Sequence, residues 1–232
     1  MTKTADVLDL YCSAGGVGLA LRKLGLSSIG VDIEDYSDKY EQEFVQADAS
    51  DLEQLRDVLG LEPGEKYDLV WASPPCLAYT TLNQVNAKMY DWNETPKERY
   101  PTIPELNVHS VVQALGKEYI IENVRYCDDL NDPTRVNGFG VGMPIRNEHW
   151  FETSFDCPRA IKQGRAKAVS GGTMEQRRNL ASIKGVPDSW TEEEVNSAIP
   201  KPYVQHLLHY CPTIDGVESI DGTTQLTLGG VV

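Results

Sequence analysis

Val7-Leu8-Asp9-Leu10-Tyr11, followed at once by Cys12-Ser13-Ala14-Gly15-Gly16-Val17-Gly18, is the stretch on which the fold turns. The first five residues read as a short strand. Gly15, Gly16 and Gly18 then break it, and Val17 to Leu24 has helical spacing with Gly25 placed as a C-cap. A strand, a tight glycine turn and a helix open an α/β unit in which the backbone can approach a ligand closely. Taken alone, the turn is equally a purely structural one. It is not a phosphate-binding loop, because no Gly-Lys-Ser/Thr follows.

Outward from the turn, strands and helices alternate. Ser28 to Ile33 reads as a second strand, Phe44 to Asp48 as a third, Leu52 to Leu59 as a helix closed by Gly60, and Tyr67 to Ala72 as a fourth strand ended by Ser73 and two prolines. This β-α-β-β pattern predicts an open, mostly parallel α/β sheet. Glu105 to Leu115 follows as a helix and Tyr119 to Val124 as a fifth strand, and Trp150-Phe151 sits in a sixth. Residues 78–102 are polar, rich in Tyr and Asn and without clear period. They are expected to form a long loop with at most a helical turn, and such loops are usually functional. Further on, helices are expected over Met174–Ile183, Thr191–Ala198 (Thr191 and Glu194 forming a capping box) and Lys201–Tyr210. The expected organisation is one domain over 1–211 and a Gly- and Thr-rich tail over 212–232, either disordered or an edge strand.

The 232 residues suit a single core. Five cysteines, at 12, 76, 127, 157 and 211, form no C-x-x-C pair, so neither a zinc site nor a disulfide framework is indicated and no metal is expected. No apolar run is long enough for a membrane span and no signal peptide is visible, so a cytoplasmic setting is the expectation. The formal charge of −14 lacks the basic balance common in nucleic-acid binders. Local clusters still offer a basic face: Arg159, Lys162, Arg165 and Lys167, then Arg177 and Arg178. The acidity would equally suit a high-salt cytoplasm.

Two sets of residues point to chemistry. Asp32, followed by Glu34, closes the second strand, where an acid commonly accepts from ribose hydroxyls, and Asp48 ends the third. With Asp9 just before the turn, these acids suit adenosine plus a cationic group better than a pyrophosphate, which points to a positively charged methyl donor. The second set is Ser73-Pro74-Pro75-Cys76. Two prolines stiffen the loop that follows the fourth strand and would present Cys76, a nucleophile as its thiolate, at the sheet's functional edge. Glu122, ending the fifth strand, lies on that edge and could hold a proton if burial raises its pKa. The bland readings are a buried inert cysteine and a salt-bridged strand end.

The ordered set Asp9-Leu-Tyr-Cys-Ser-Ala-Gly-Gly16, Gly30-Val-Asp32, Gln46-Ala-Asp48, Ala72-Ser-Pro-Pro-Cys76 and Glu122-Asn-Val124 resembles the cytosine-C5 DNA methyltransferase family. It covers about residues 6 to 125. Phe151-Glu-Thr153, Gly171-Gly172, Arg177-Arg178 and Ala198-Ile-Pro-Lys-Pro-Tyr203 extend the likeness to compact phage and viral members. The resemblance implies a Rossmann-like class I fold and S-adenosylmethionine as cofactor, held by Asp9, Tyr11, Ala14, Gly15, Gly16, Asp32, Ile33, Asp48, Ala49 and Pro74. It implies Cys76 as nucleophile at cytosine C6, Glu122 at N3, and Asn123 orienting the loop or contacting the base region. Ser73, Pro75, Thr80, Arg146, His149, Arg177 and Arg178 are the implied substrate contacts, and residues 78–102 match the family's mobile catalytic loop. The base would have to leave the stack.

Four departures stand out. About thirty residues separate Phe151 from Gly185, so the recognition segment over 156–185 is too short for the family's separate reading domain. Low specificity, single-stranded DNA or a specificity-conferring protein partner would follow. Arg146-Asn147-Glu148-His149 replaces an arginine pair, with Asn147 and His149 at the expected arginines or, one register over, Arg146 serving. Leu77 stands where the family prefers glutamine, and Ser197 where it prefers asparagine. The alternatives are C5 methylation of RNA or a free cytidine nucleotide, and a non-catalytic nucleic-acid-binding relative.

Overall fold

The computed structural model describes residues 5–164 and 173–220. Seven strands, β1 (Val7–Leu10), β2 (Ser28–Asp32), β3 (Glu43–Gln46), β4 (Tyr67–Ala72), β5 (Gly116–Val124), β6 (Thr134–Val136) and β7 (His149–Thr153), form one sheet in the order β3-β2-β1-β4-β5-β7-β6. β1 to β5 pair in parallel, while β7 runs antiparallel to both β5 and β6. This is the expected Rossmann-like class I methyltransferase architecture. The chain order reverses between β1 and β4, which makes their adjoining C-terminal ends the switch-point crevice of an open α/β sheet. The register sets Leu10 beside both Val31 and Ala72, and Ala72 beside Ile121. The glycine turn, the acid after β2, the Pro-Pro-Cys loop and the Glu-Asn-Val end therefore meet on one edge.

The helices among the described residues are α1 (Gly16–Lys23), α2 (Leu52–Val58), α3 (Thr81–Met89), α4 (Pro96–Arg99), α5 (Val108–Leu115), α6 (Met174–Lys184), α7 (Glu192–Ser197) and α8 (Lys201–His209). Parallel strands are buried on both faces and alternate sides residue by residue. Val70 and Ala72 pack with Leu55 of α2 and Val108, Val111, Val112 and Leu115 of α5. Leu69 and Trp71 pack on the other face with Val17, Ala20 and Leu21 of α1 and Tyr203, Val204, Leu207 and Leu208 of α8.

The expected loop at 78–102 is a correction. It carries α3, whose N-cap Thr80 accepts from the Asn83 amide, and α4, opened by Pro96 and a Thr95–Glu98 capping box. No α3 residue is buried, so no apolar stripe marked it. β6 is only three residues long, too short for periodicity to declare. Within the tail, 212–220 is neither helix nor strand, and Ile214 is buried against the α8 core. Arg165, Lys167, Gly171, Gly172 and residues 221–232 lie outside the described residues. Among those described, no helix is long and apolar enough to cross a membrane.

Candidate active site

The turn after β1 is unusually bent. Tyr11 (φ 56°), Ser13 (φ 48°) and Gly15 (φ 90°) all take left-handed backbone, a conformation that costs non-glycine residues energy and persists where surroundings enforce it. Asp32 is the enforcing group: Oδ2 accepts from the Ser13 amide at 2.9 Å and Oδ1 from the Glu34 amide at 3.1 Å. Burial raises its pKa, while these amide bonds pull the other way. Beside it Ile33 is 66% exposed, an apolar side chain laid open at the strand end. Asp48 Oδ1 accepts from the Ser50 amide and hydroxyl at 2.9 and 2.7 Å, and Ala49 is buried. The Tyr11 hydroxyl is buried without a hydrogen-bond partner. Burial raises its pKa, and the Asp48 and Asp32 carboxylates raise it further.

The glycines have a different physical reason from the one expected. A Cβ on Gly15 would fall 2.7 Å from Tyr40 Cδ2, one on Gly18 2.5 Å from Tyr40 Cζ, and one on Gly30 2.5 Å from Tyr40 Cε2. A Cβ on Gly16 would meet Ala198 Cα at 2.9 Å. They make room for Tyr40 and the Ala198-Ile199 segment. Ala14 likewise packs inward with Ala181, Trp190, Val195 and Ala198. Asp9 is fully buried, accepts from the Tyr40 hydroxyl at 3.1 Å, and desolvation pushes its pKa up to about 8. It therefore adds no full negative charge at neutral pH.

At the other half of the edge, the Ser73 amide donates to Leu10 O at 3.1 Å and the Ser73 hydroxyl accepts from Trp71 Nε1 at 3.0 Å. Asn123 Nδ2 donates to Pro74 O at 3.1 Å, and Asn123 Oδ1 accepts from the Val124 amide at 2.9 Å. A buried amide thus ties the end of β5 to the proline loop after β4. Pro75 is exposed and Cys76 partly buried, with Cys76 O accepting from the Tyr79 and Thr80 amides. Burial, then the Glu122 carboxylate, pushes the Cys76 thiol up to about 11. The thiol form is thereby favoured at neutral pH, whereas the thiolate is the nucleophilic form of a cysteine.

Glu122 is 8% exposed, and its Oε1 lies 2.7 Å from Nδ1 of His149, itself 9% exposed. Strand geometry explains the pairing. Glu122 faces Phe151 across the antiparallel β5–β7 ladder, and His149 faces Val124, so the two side chains are diagonal neighbours on one face. His149 Nε2 is buried with no partner. Lys184, 4% exposed, donates to Asn196 O at 2.7 Å and Ala198 O at 2.9 Å, and burial lowers its pKa to about 8 against the pull of the Glu122 carboxylate. Lys184 was not anticipated. It sits three residues after buried Ala181 on α6, a spacing that puts both on one helix face.

The remaining expected substrate contacts are scattered. Thr80 is spent as a helix cap. Arg146 and Arg178 are exposed, and Arg177 donates from Nη1 to Trp190 O at 2.8 Å. Among the described residues, no cluster of three His, Cys, Asp or Glu could hold a metal ion.

No family model matches the chain. A type II methyltransferase, M.AgeI of Thalassovita gelatinovora, is 29% identical over 86 residues, 33% of this chain and 20% of the relative. The match thus spans a fifth of that relative's length. Among solved structures, the S. pombe Dnmt2 methyltransferase superposes with a TM-score of 0.51 over 88% of this chain and 97% of its own, at 13% identity. That likeness is one of fold.

Proposed function

We propose that the chain transfers a methyl group from S-adenosylmethionine to C5 of cytosine in DNA, through a transient bond between Cys76 and C6. One observation carries this reading. Cys76 and the buried Glu122–His149 pair stand at the ends of adjacent strands, beside a strained turn tied down by an acid. The name of the bacterial relative is in line with it.

The cofactor fits the residues present. Ile33 offers an exposed apolar face for adenine, Asp32 a partly buried carboxylate for ribose, and the Tyr11 hydroxyl a buried polar atom in need of a partner. Asp48 and the backbone of the turn complete the set, and Asp9, Gly15, Gly16 and Ala14 support it from behind. When bound, S-adenosylmethionine supplies an electrophilic methyl group on a sulfonium.

On the chain's side, Cys76 gives up its proton to solvent as Sγ bonds to C6. Glu122 donates a proton to N3, so that the electrons of the C5–C6 double bond are released at C5. After C5 is methylated, its proton leaves to solvent, the double bond re-forms, the N3 proton returns to Glu122, and Cys76 departs as a thiolate that takes up a proton from solvent. Asn123 holds the proline loop so that Sγ approaches the ring face, and α3, directly after Cys76, would move with the loop on closure.

The short recognition segment favours single-stranded or weakly specified DNA, or a protein partner that reads sequence. Net charge of −14 favours a second reading, transfer to RNA or a free cytidine nucleotide. Labelled methyl donor offered with duplex DNA, single-stranded DNA, RNA and cytidine nucleotides separates the two. Label in 5-methylcytosine of DNA supports the first, and label only in RNA or nucleotide overturns it.

A further inference from the structure

Resting on that reading of the site, we propose that His149 is the positioning residue for Glu122. Its Nδ1–H holds one carboxyl oxygen and leaves the other to face the base. The segment that resembles a family keeping arginines here has a histidine instead, and the geometry says what it does.

The bond is short, 2.7 Å, and both partners are more than nine-tenths buried. A carboxyl group at the end of a strand would otherwise turn freely about its last torsion. With Oε1 engaged, that torsion is set. The tautomer follows from the other ring nitrogen. Nε2 is buried and has no partner. With the proton on Nε2 instead, a donor would be buried without an acceptor and the Nδ1 lone pair would face a carboxyl oxygen at 2.7 Å, so both nitrogens would be poorly placed. The ring is therefore expected to carry its proton on Nδ1, pointing at Glu122.

The ring itself is locked. Tyr203 meets it edge-on at 5.7 Å between centroids and Phe151 lies 6.3 Å away at a tilt. Tyr203 is anchored in turn by its hydroxyl, which donates to Asn147 O. The groups facing the pair come from several elements. Cys76 after β4 and Lys184 of α6 both interact electrostatically with Glu122, and Tyr203 of α8 stacks on His149. Among the described residues, only His149 touches the carboxyl through a hydrogen bond. The bond orients Glu122 through a single N–H, where a guanidinium would bring a fork of donors.

Two measurements test this. In the ¹⁵N-histidine NMR spectrum, with the His149 signals identified by their loss in His149→Phe, Nδ1 is expected to bear the proton. A proton on Nε2 overturns the pairing whatever the enzyme's activity. In single-turnover methyl transfer, His149→Phe keeps the packing on Tyr203 but removes the donor. It should slow the chemical step about 10²-fold with donor affinity by calorimetry unchanged. His149→Asn, which presents an amide N–H near the Nδ1 position, should recover to within about tenfold of wild type. Wild-type rates in His149→Phe overturn the proposal. If the wild-type chain methylates no nucleic acid, the proposed function fails, while the tautomer still decides the pair.

Discussion

Asp9 and Glu122, two of the buried carboxyl groups on this sheet, lie one in each half, and their surroundings make them different. Asp9 on β1 is fully buried and meets a tyrosine hydroxyl, with the Asp32 carboxylate as a further unfavourable charge. Desolvation is little opposed, and the group is pushed up to about 8. Glu122 on β5 is nearly as buried but meets an imidazole at 2.7 Å, with a buried lysine close enough to interact. The first arrangement, a carboxyl, a phenol and three glycines closed around one ring, is a packing device. The second places ionisable partners around an acid that ends beside Cys76. Burial is shared by the two carboxyls; what differs is the partner each one meets.

The largest effect should come from the catalytic half. Cys76→Ser is expected to lower turnover by roughly 10³-fold or more while calorimetry finds donor affinity close to wild type. Turnover near wild type would remove the covalent route. Next, Asp32→Ala removes the acceptor of the Ser13 and Glu34 amides and the proposed ribose contact. Donor binding should weaken about tenfold or more, or ~1.4 kcal/mol, and an unchanged calorimetric affinity would reject that role.

In the packing half, Gly18→Ala should destabilise by about 1–3 kcal/mol in thermal or denaturant unfolding. Much of that loss should vanish in a Tyr40→Ala background, because the same ring is the obstacle. Simple additivity would show that the glycines are not there for Tyr40. The last effect is a slope. Asp9 binds a proton in the folded state up to about pH 8 but in the unfolded state only up to about 3.8. Between these values the folded state holds more protons, so its contribution to stability falls as pH rises. Asp9→Asn should flatten the wild-type decline by at most about 1.4 kcal/mol per pH unit, and parallel stability curves would place the carboxyl outside this account.

Much of the sheet was legible because parallel strands bury both faces and end in residues of strong local meaning. Gly25 and Gly60 closed their helices with positive φ, and Thr191 with Glu194 formed the expected capping box. α3 and β6 were not legible, one lacking a buried stripe and the other too short. In the site, residues ending the strands were placed by register alone, so Asp32, Cys76 and Glu122 could be read in order. What could not be read depends on contacts between distant segments. Tyr40 filling the glycine cage is separated from Asp9 by 31 positions, and His149 meeting Glu122 by 27. A glycine kept for a ligand and a glycine kept for a ring look the same in one dimension.

The central claim is the bond from Cys76 to C6. A single-stranded or duplex oligonucleotide with 5-fluorocytosine at the target position blocks the last step, because fluorine replaces the proton that C5 must lose. Incubation with S-adenosylmethionine followed by intact-mass analysis and peptide mapping should find the oligonucleotide joined to the peptide containing Cys76, with one methyl group added. Methyl transfer to ordinary cytosine with no trapped adduct, or an adduct at another cysteine, would contradict the mechanism.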